Sequence, residues 1–73
     1  MEMTHSAMHI ILNGAPHEID GPQPLTTLLD SLGLTGKPVV VELNEAAILP
    51  RDYATTEVGA GARLEVVMLA AGG

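Results

Sequence analysis

Apolar residues alternate with others at Met8, Ile10 and Leu12, the period-2 pattern of a half-buried strand. Asn13-Gly14 follows directly, and both residue types accept the positive φ of a type I′ turn, so the chain is predicted to reverse there. The return strand runs from Ala15 to Ile19, with Pro16 suited to a sheet edge. The stretch Asp20 to Pro24, with Gly21 and Pro22 inside it, then interrupts regular structure. Beyond it the period changes. Leu25, Leu28, Leu29 and Leu32 fall at i, i+3, i+4 and i+7, one face of a short helix. Thr26 or Thr27 is placed to cap its start and Gly33 to stop it.

Leu34 to Pro38 reads as a connection. Pro38 to Leu43 is apolar on both faces until Glu42, as a central strand requires. Asn44-Glu45 is a turn candidate, Ala46 to Leu49 a short fourth strand, and Pro50 its stop. Arg51 to Val58 reads as irregular with one helical turn, and Gly59-Ala60-Gly61 as a tight turn. In Arg63 to Met68 the residues Leu64, Val66 and Met68 are expected inward, with Arg63, Glu65 and Val67 outward. A hairpin followed by a crossover helix brings the next strand into the same sheet, and the crossover is right-handed. The expected fold is α+β: a β-grasp, with a mixed four- to five-stranded sheet on one main helix. Its last strand is central and lies beside the first. Residues 1–7 form an N-terminal extension, 8–68 the domain, and 69–73 an extended, flexible C-terminal tail.

Composition narrows the functions such a domain can have. Seventy-three residues make one domain with a thin core. There is no cysteine, and Tyr53 is the single aromatic residue, so disulfides, thiolate metal sites and cysteine nucleophiles are absent together. A formal net charge of −6, with Lys37, Arg51 and Arg63 as the only lysine or arginine residues, argues against nucleic acid and anionic membranes. It suits a basic partner protein, and solubility alone accounts for it equally well. No apolar run reaches the length of a membrane span, and Met1 to Ala7 is short and polar for a signal peptide. A cytoplasmic location is the expectation.

The candidate chemistry lies at the end of the chain. Gly72 and Gly73 close it, and glycine without a Cβ can lie extended in a narrow channel, presenting a carboxylate to another protein's active site. Leu69, Ala70 and Ala71 supply reach: five extended residues span at most about 17 Å. Sharper alternatives are weaker. His5, His9 and His17 fit no zinc spacing. Glu42, Glu45 and Asp52 lack a pocket to shift their acidity in a one-helix domain. Gly59-Ala60-Gly61 precedes a strand, where a phosphate loop would open a helix. No metal site is expected.

Taken in order, Met8, Ile10 and Asn13-Gly14, the leucine helix, Val39 to Asn44, Pro50-Arg51, the late glycine turn and the terminal Gly-Gly resemble the ThiS family. These are ubiquitin-like sulfur carriers of thiamine thiazole biosynthesis, and the resemblance spans about residues 8 to 73. It departs at Ala62, where many members carry aspartate after the glycine. Tyr53 stands for the aromatic residue that commonly follows Pro-Arg. The tail lacks the proline-rich approach typical of the molybdopterin synthase small subunit. The match leaves open whether Met1 or Met8 is the native start.

The resemblance implies a carrier and not an enzyme. A ThiF-like (E1-like) adenylyltransferase using ATP and magnesium would activate Gly73, and a persulfide donor would convert it to a thiocarboxylate. A ThiG-like thiazole synthase would then take the sulfur. No cofactor is implied on this chain itself. Gly72 gives clearance, while Val40, Arg51, Val67, Leu69, Ala70 and Ala71 are the candidate docking residues. The same tail also serves other sulfur pathways, such as molybdopterin synthesis or tRNA thiolation, and ubiquitin-like protein modification. A plain interaction domain is the remaining alternative.

Overall fold

The structure is a computed structural model that describes residues 7–69; residues 1–6, within the expected extension, and Ala70, Ala71, Gly72 and Gly73 lie outside the described residues. Strands β1 (Met8–Leu12) and β2 (Ala15–Ile19) form the hairpin. Short β3 (Gln23–Pro24) leads into helix α1 (Leu25–Ser31), followed by β4 (Val39–Leu43) and β5 (Ala46–Ile48). A 3-10 helix (Pro50–Thr55), β6 (Glu57–Val58) and β7 (Arg63–Met68) complete the described chain. The five-stranded sheet has the order β2-β1-β7-β4-β5, with β1 and β7 parallel and the other neighbours antiparallel. The mixed β-grasp is therefore present, with the last strand at its centre.

Each turn follows from its residues. Asn13 and Gly14 have φ of 51° and 83°, as a type I′ hairpin requires. The helix ends in a Schellman motif: Leu34 N–H donates to Leu29 O at 2.9 Å and Gly33 N–H to Asp30 O at 3.0 Å, with Gly33 at φ 75°. Asn44 and Glu45 make a second turn with φ of 51° and 71°, although glutamate is a poor residue for that region. Replacing Glu45 by glycine should therefore raise the unfolding free energy by about 0.5 kcal/mol, the backbone relief exceeding glycine's entropy cost. Urea denaturation checks this, and a loss of stability would contradict the turn geometry.

Five expectations change. Neither Thr26 nor Thr27 caps the helix: Pro24 holds the cap position without a side-chain bond. The Leu25 N–H instead donates to Thr56 O at 2.8 Å, so the segment after the 3-10 helix satisfies a first-turn donor. The Gln23–Pro24 and Glu57–Val58 segments, read as irregular, pair as a second small ladder. The fourth strand stops at Ile48, one residue early, and the central strand starts at Val39. Met68, expected inward, is 49% exposed. Its register partner is Val39, and a helix of seven residues, about 10 Å long, is too short to cover the whole sheet.

The core consists of Ile10, Ile19, Leu25, Leu28, Leu29, Val41, Val58, Ala62 and Leu64, packed between the sheet's inner face and the helix. Among the described residues every fully buried side chain is apolar. Ala62 is one of these core residues. Tyr53 is partly buried against the same cluster. Among the described residues no helix is long and apolar enough to cross a membrane.

Candidate functional site: the tail end of the central strand

Strand β7 is held from both sides by asparagine. Asn13 accepts from Val66 N–H through Oδ1 at 2.8 Å and donates through Nδ2 to Val66 O at 3.2 Å. Its own backbone N–H donates to Leu64 O at 2.8 Å. On the other side Asn44 Oδ1 accepts from Arg63 N–H at 2.9 Å, while Asn44 N–H donates to Arg63 O at 2.8 Å. The turn residues of the two hairpins thus act as extra strand partners and fix the direction in which β7 leaves the sheet. The last described link is Leu69 N–H to Pro38 O at 2.8 Å.

The exposed apolar surface gathers at that end. Val40 and Val67 face one another across β4 and β7 and are 43% and 55% exposed. Leu49, Met68 and Leu69 are each 49% exposed. These five are the large exposed hydrophobic residues among those described. Val40 and Val67 are thus only partly covered by the described residues. Helix α1 packs on the inner face, and no further layer of described residues lies over the outer one.

The other candidates fall as follows. Arg51 is exposed on the 3-10 helix, two residues after Leu49. Ala70, Ala71, Gly72 and Gly73 lie outside the described residues. Sequence reasoning placed Leu49 in a strand and Met68 in the core, and so missed both as surface residues. Alternation from Ala47 to Leu49 just before Pro50 was the available signal for the first.

Two hollows lie among the described residues. A small apolar hollow of about 100 Å³ lies between Leu29, Leu34, Val39 and Tyr53, with Thr26, Thr35 and Lys37 at its edge. A wider depression of about 250 Å³ lies by His17, Glu18, Asp20 and Gln23. Glu42, Glu45 and Asp52 line neither. His9 pairs with Glu18 and His17 with Ile10, which sends the two imidazoles to opposite faces of the hairpin. Among the described residues no group of three or more potential metal ligands occurs.

Comparison with known proteins decides what this arrangement belongs to. The family model described as the ThiS family matches residues 10–73. The chain belongs to the ThiS family. A crystal structure of the thiamine biosynthesis protein ThiS from Geobacter metallireducens superposes with a TM-score of 0.78 at 30% identity, over 90% of this chain and 100% of that one. A solution structure of a thiamine biosynthesis protein from Geobacter metallireducens gives 0.75 at 30% identity, over 90% and 88%. An uncharacterized protein, ycf40, of Pyropia yezoensis is 32% identical over 71 residues, covering 97% of this chain and all of that protein. ThiS membership supports a role as a small sulfur carrier acting with enzymes of thiamine synthesis.

Proposed function

We propose that this chain carries sulfur for the thiazole ring of thiamine as a thiocarboxylate on Gly73. The observation that bears most weight is the combination of ThiS membership through residue 73 with a clamped central strand running out beside an exposed apolar patch. Four residues follow Leu69, a reach of at most about 14 Å when extended. A ThiF-like adenylyltransferase would bind ATP and magnesium and dock on Val40, Val67 and Leu69, with Arg51 at the margin, while Ala70 and Ala71 span the approach. Gly72 leaves room for its nucleotide site to close on the tail.

The Gly73 carboxylate oxygen attacks the α-phosphorus of ATP, the α–β anhydride bond breaks, and pyrophosphate leaves. Adenylation replaces a poor leaving group, oxide, with a good one. The terminal sulfur of a persulfide donor then attacks the acyl carbon and AMP departs. A thiol cleaves the resulting S–S bond and frees the thiocarboxylate, which a ThiG-like thiazole synthase consumes. The ionisable catalytic groups are the partners'; this chain acts as their co-substrate.

Intact mass of the protein isolated from its own cells tests the proposal. The expected result is a gain equal to exchanging one oxygen for one sulfur, lost when the thiazole pathway consumes it. A ladder of larger adducts would instead assign the tail to protein modification. An unaltered mass under thiamine starvation would refute both.

A further inference from the structure

The two asparagine clamps on β7 are chemically unequal. Asn13 grips Val66 with both ends of its amide: Oδ1 accepts from Val66 N–H at 2.8 Å and Nδ2 donates to Val66 O at 3.2 Å. Asn44 engages Arg63 N–H through Oδ1 at 2.9 Å, and among the described residues its Nδ2 makes no bond. The residues that follow differ as well: Gly14 after Asn13, Glu45 after Asn44. A backbone nitrogen can attack the side-chain amide carbon of a preceding asparagine and close a five-membered ring, and a side chain on the attacking residue hinders that approach. Gly14 has no side chain, and beyond its chain neighbours no atom lies within 4 Å of where one would begin. Asn13 and Gly14 are both exposed, so water reaches the bond that would form.

We propose that Asn13 is a site of spontaneous deamidation, and that its conversion unclamps the strand leading to the tail. The Gly14 backbone nitrogen gives its proton to base and attacks Cγ of Asn13. The Cγ–Nδ2 bond breaks, ammonia leaves, and a succinimide remains. Water then adds to either ring carbonyl, and opening gives aspartate or isoaspartate. Nothing is oxidised or reduced, and water and base are the only co-reactants. The clamp sets the pace: while Val66 holds both amide atoms, Cγ is kept from turning onto Gly14 N, so ring closure follows local opening of β7. Neither product restores the grip. An aspartate at this position has no N–H to give, and its second carboxylate oxygen meets Val66 O, acceptor against acceptor. Isoaspartate adds a methylene to the backbone of a two-residue turn, which displaces the Leu12–Ala15 pairing and withdraws the carboxylate from Val66. Either product adds negative charge to a chain already at −6, which favours the looser state. The loss falls three residues before Leu69, at the end of β7 from which the tail departs. This consequence holds whatever chemistry the tail performs.

The test ages the full chain in warm, mildly alkaline buffer and maps its peptides by mass and by isoaspartate-specific methyl transfer. Asn13 should convert ahead of Asn44, faster as pH rises, and faster again in urea, where the clamp is gone. The aged form, separated by its added charge, should lose about tenfold in hydrogen-exchange protection at the Val66 amide and melt roughly 4–8 °C lower. Asn13→Asp, which removes the donor without lengthening the backbone, should shift both readings in the same direction. Asn44→Asp keeps its accepting oxygen and should leave protection at Arg63 unchanged. Asn13 left intact in the folded chain, after a time that converts it in urea, overturns the proposal. So does conversion at Asn44 first, or a converted form whose Val66 amide is still fully protected.

Discussion

Replacing Gly73 by alanine should cut thiocarboxylate formation by about a hundredfold while moving the melting temperature by less than about 1 °C. The two effects separate because they arise in different parts of the chain. The buried side chains run from Ile10 to Leu64, so the apolar energy of the described fold is set well before position 73. At the proposed reacting end, a methyl group adjoins the carboxylate that must line up with a phosphorus atom. It also restricts the backbone that has to thread toward the nucleotide. A misplacement of about 1 Å at a reacting centre lowers rates on the order of a hundredfold. Intact mass after incubation with adenylyltransferase, ATP and persulfide donor, read beside a melting curve, checks both halves. A normal yield would remove the terminal glycine from the mechanism. A lowered melting temperature with proportionate loss of yield would make the tail a structural element.

The fold was legible where one local rule acted alone. Asn13-Gly14 announced its turn, the leucine spacing its helix, and Gly33 its stop; each was settled by backbone sterics or periodicity within a few residues. The misreadings needed distant information. The helix start lacks a threonine cap because Thr56, about thirty residues away, accepts from Leu25 N–H. No local pattern encodes that bond. The pairing of Gln23–Pro24 with Glu57–Val58 is hidden for the same reason, since two-residue strands have no period to detect. Met68 alternates correctly along β7 yet is exposed, because burial depends on how far the seven-residue helix extends over the sheet. At the candidate site, Val40 and Val67 could be identified as outward residues from alternation. Their register was beyond reach, and with it their opposition across β4 and β7. Single-strand patterns show which face a residue takes; only pairing shows which residues share a row.

Leu64→Ala should lower the unfolding free energy by about 3 kcal/mol and the melting temperature by roughly 12–24 °C. Leu64 is 1% exposed and sits on the central strand, opposite Leu12 on β1 and Leu43 on β4. Three side chains on adjacent strands thus meet in one core layer, and truncating the middle one leaves a cavity that neither neighbour can fill without moving its own strand. A domain of this length has only roughly 4–11 kcal/mol of stability in total, so one truncation removes a large share. Val67→Ala provides the contrast three residues further along. Val67 is 55% exposed, and its truncation should shift stability by less than about 0.5 kcal/mol while weakening association with the activating enzyme. Urea titration of both variants decides the matter: unchanged slopes with a large midpoint shift for Leu64→Ala alone are expected. Similar losses in the two would mean that the strand is covered on both faces. The outer face would then be unavailable to a partner, because the same residues cannot be buried in the free domain and offered for docking.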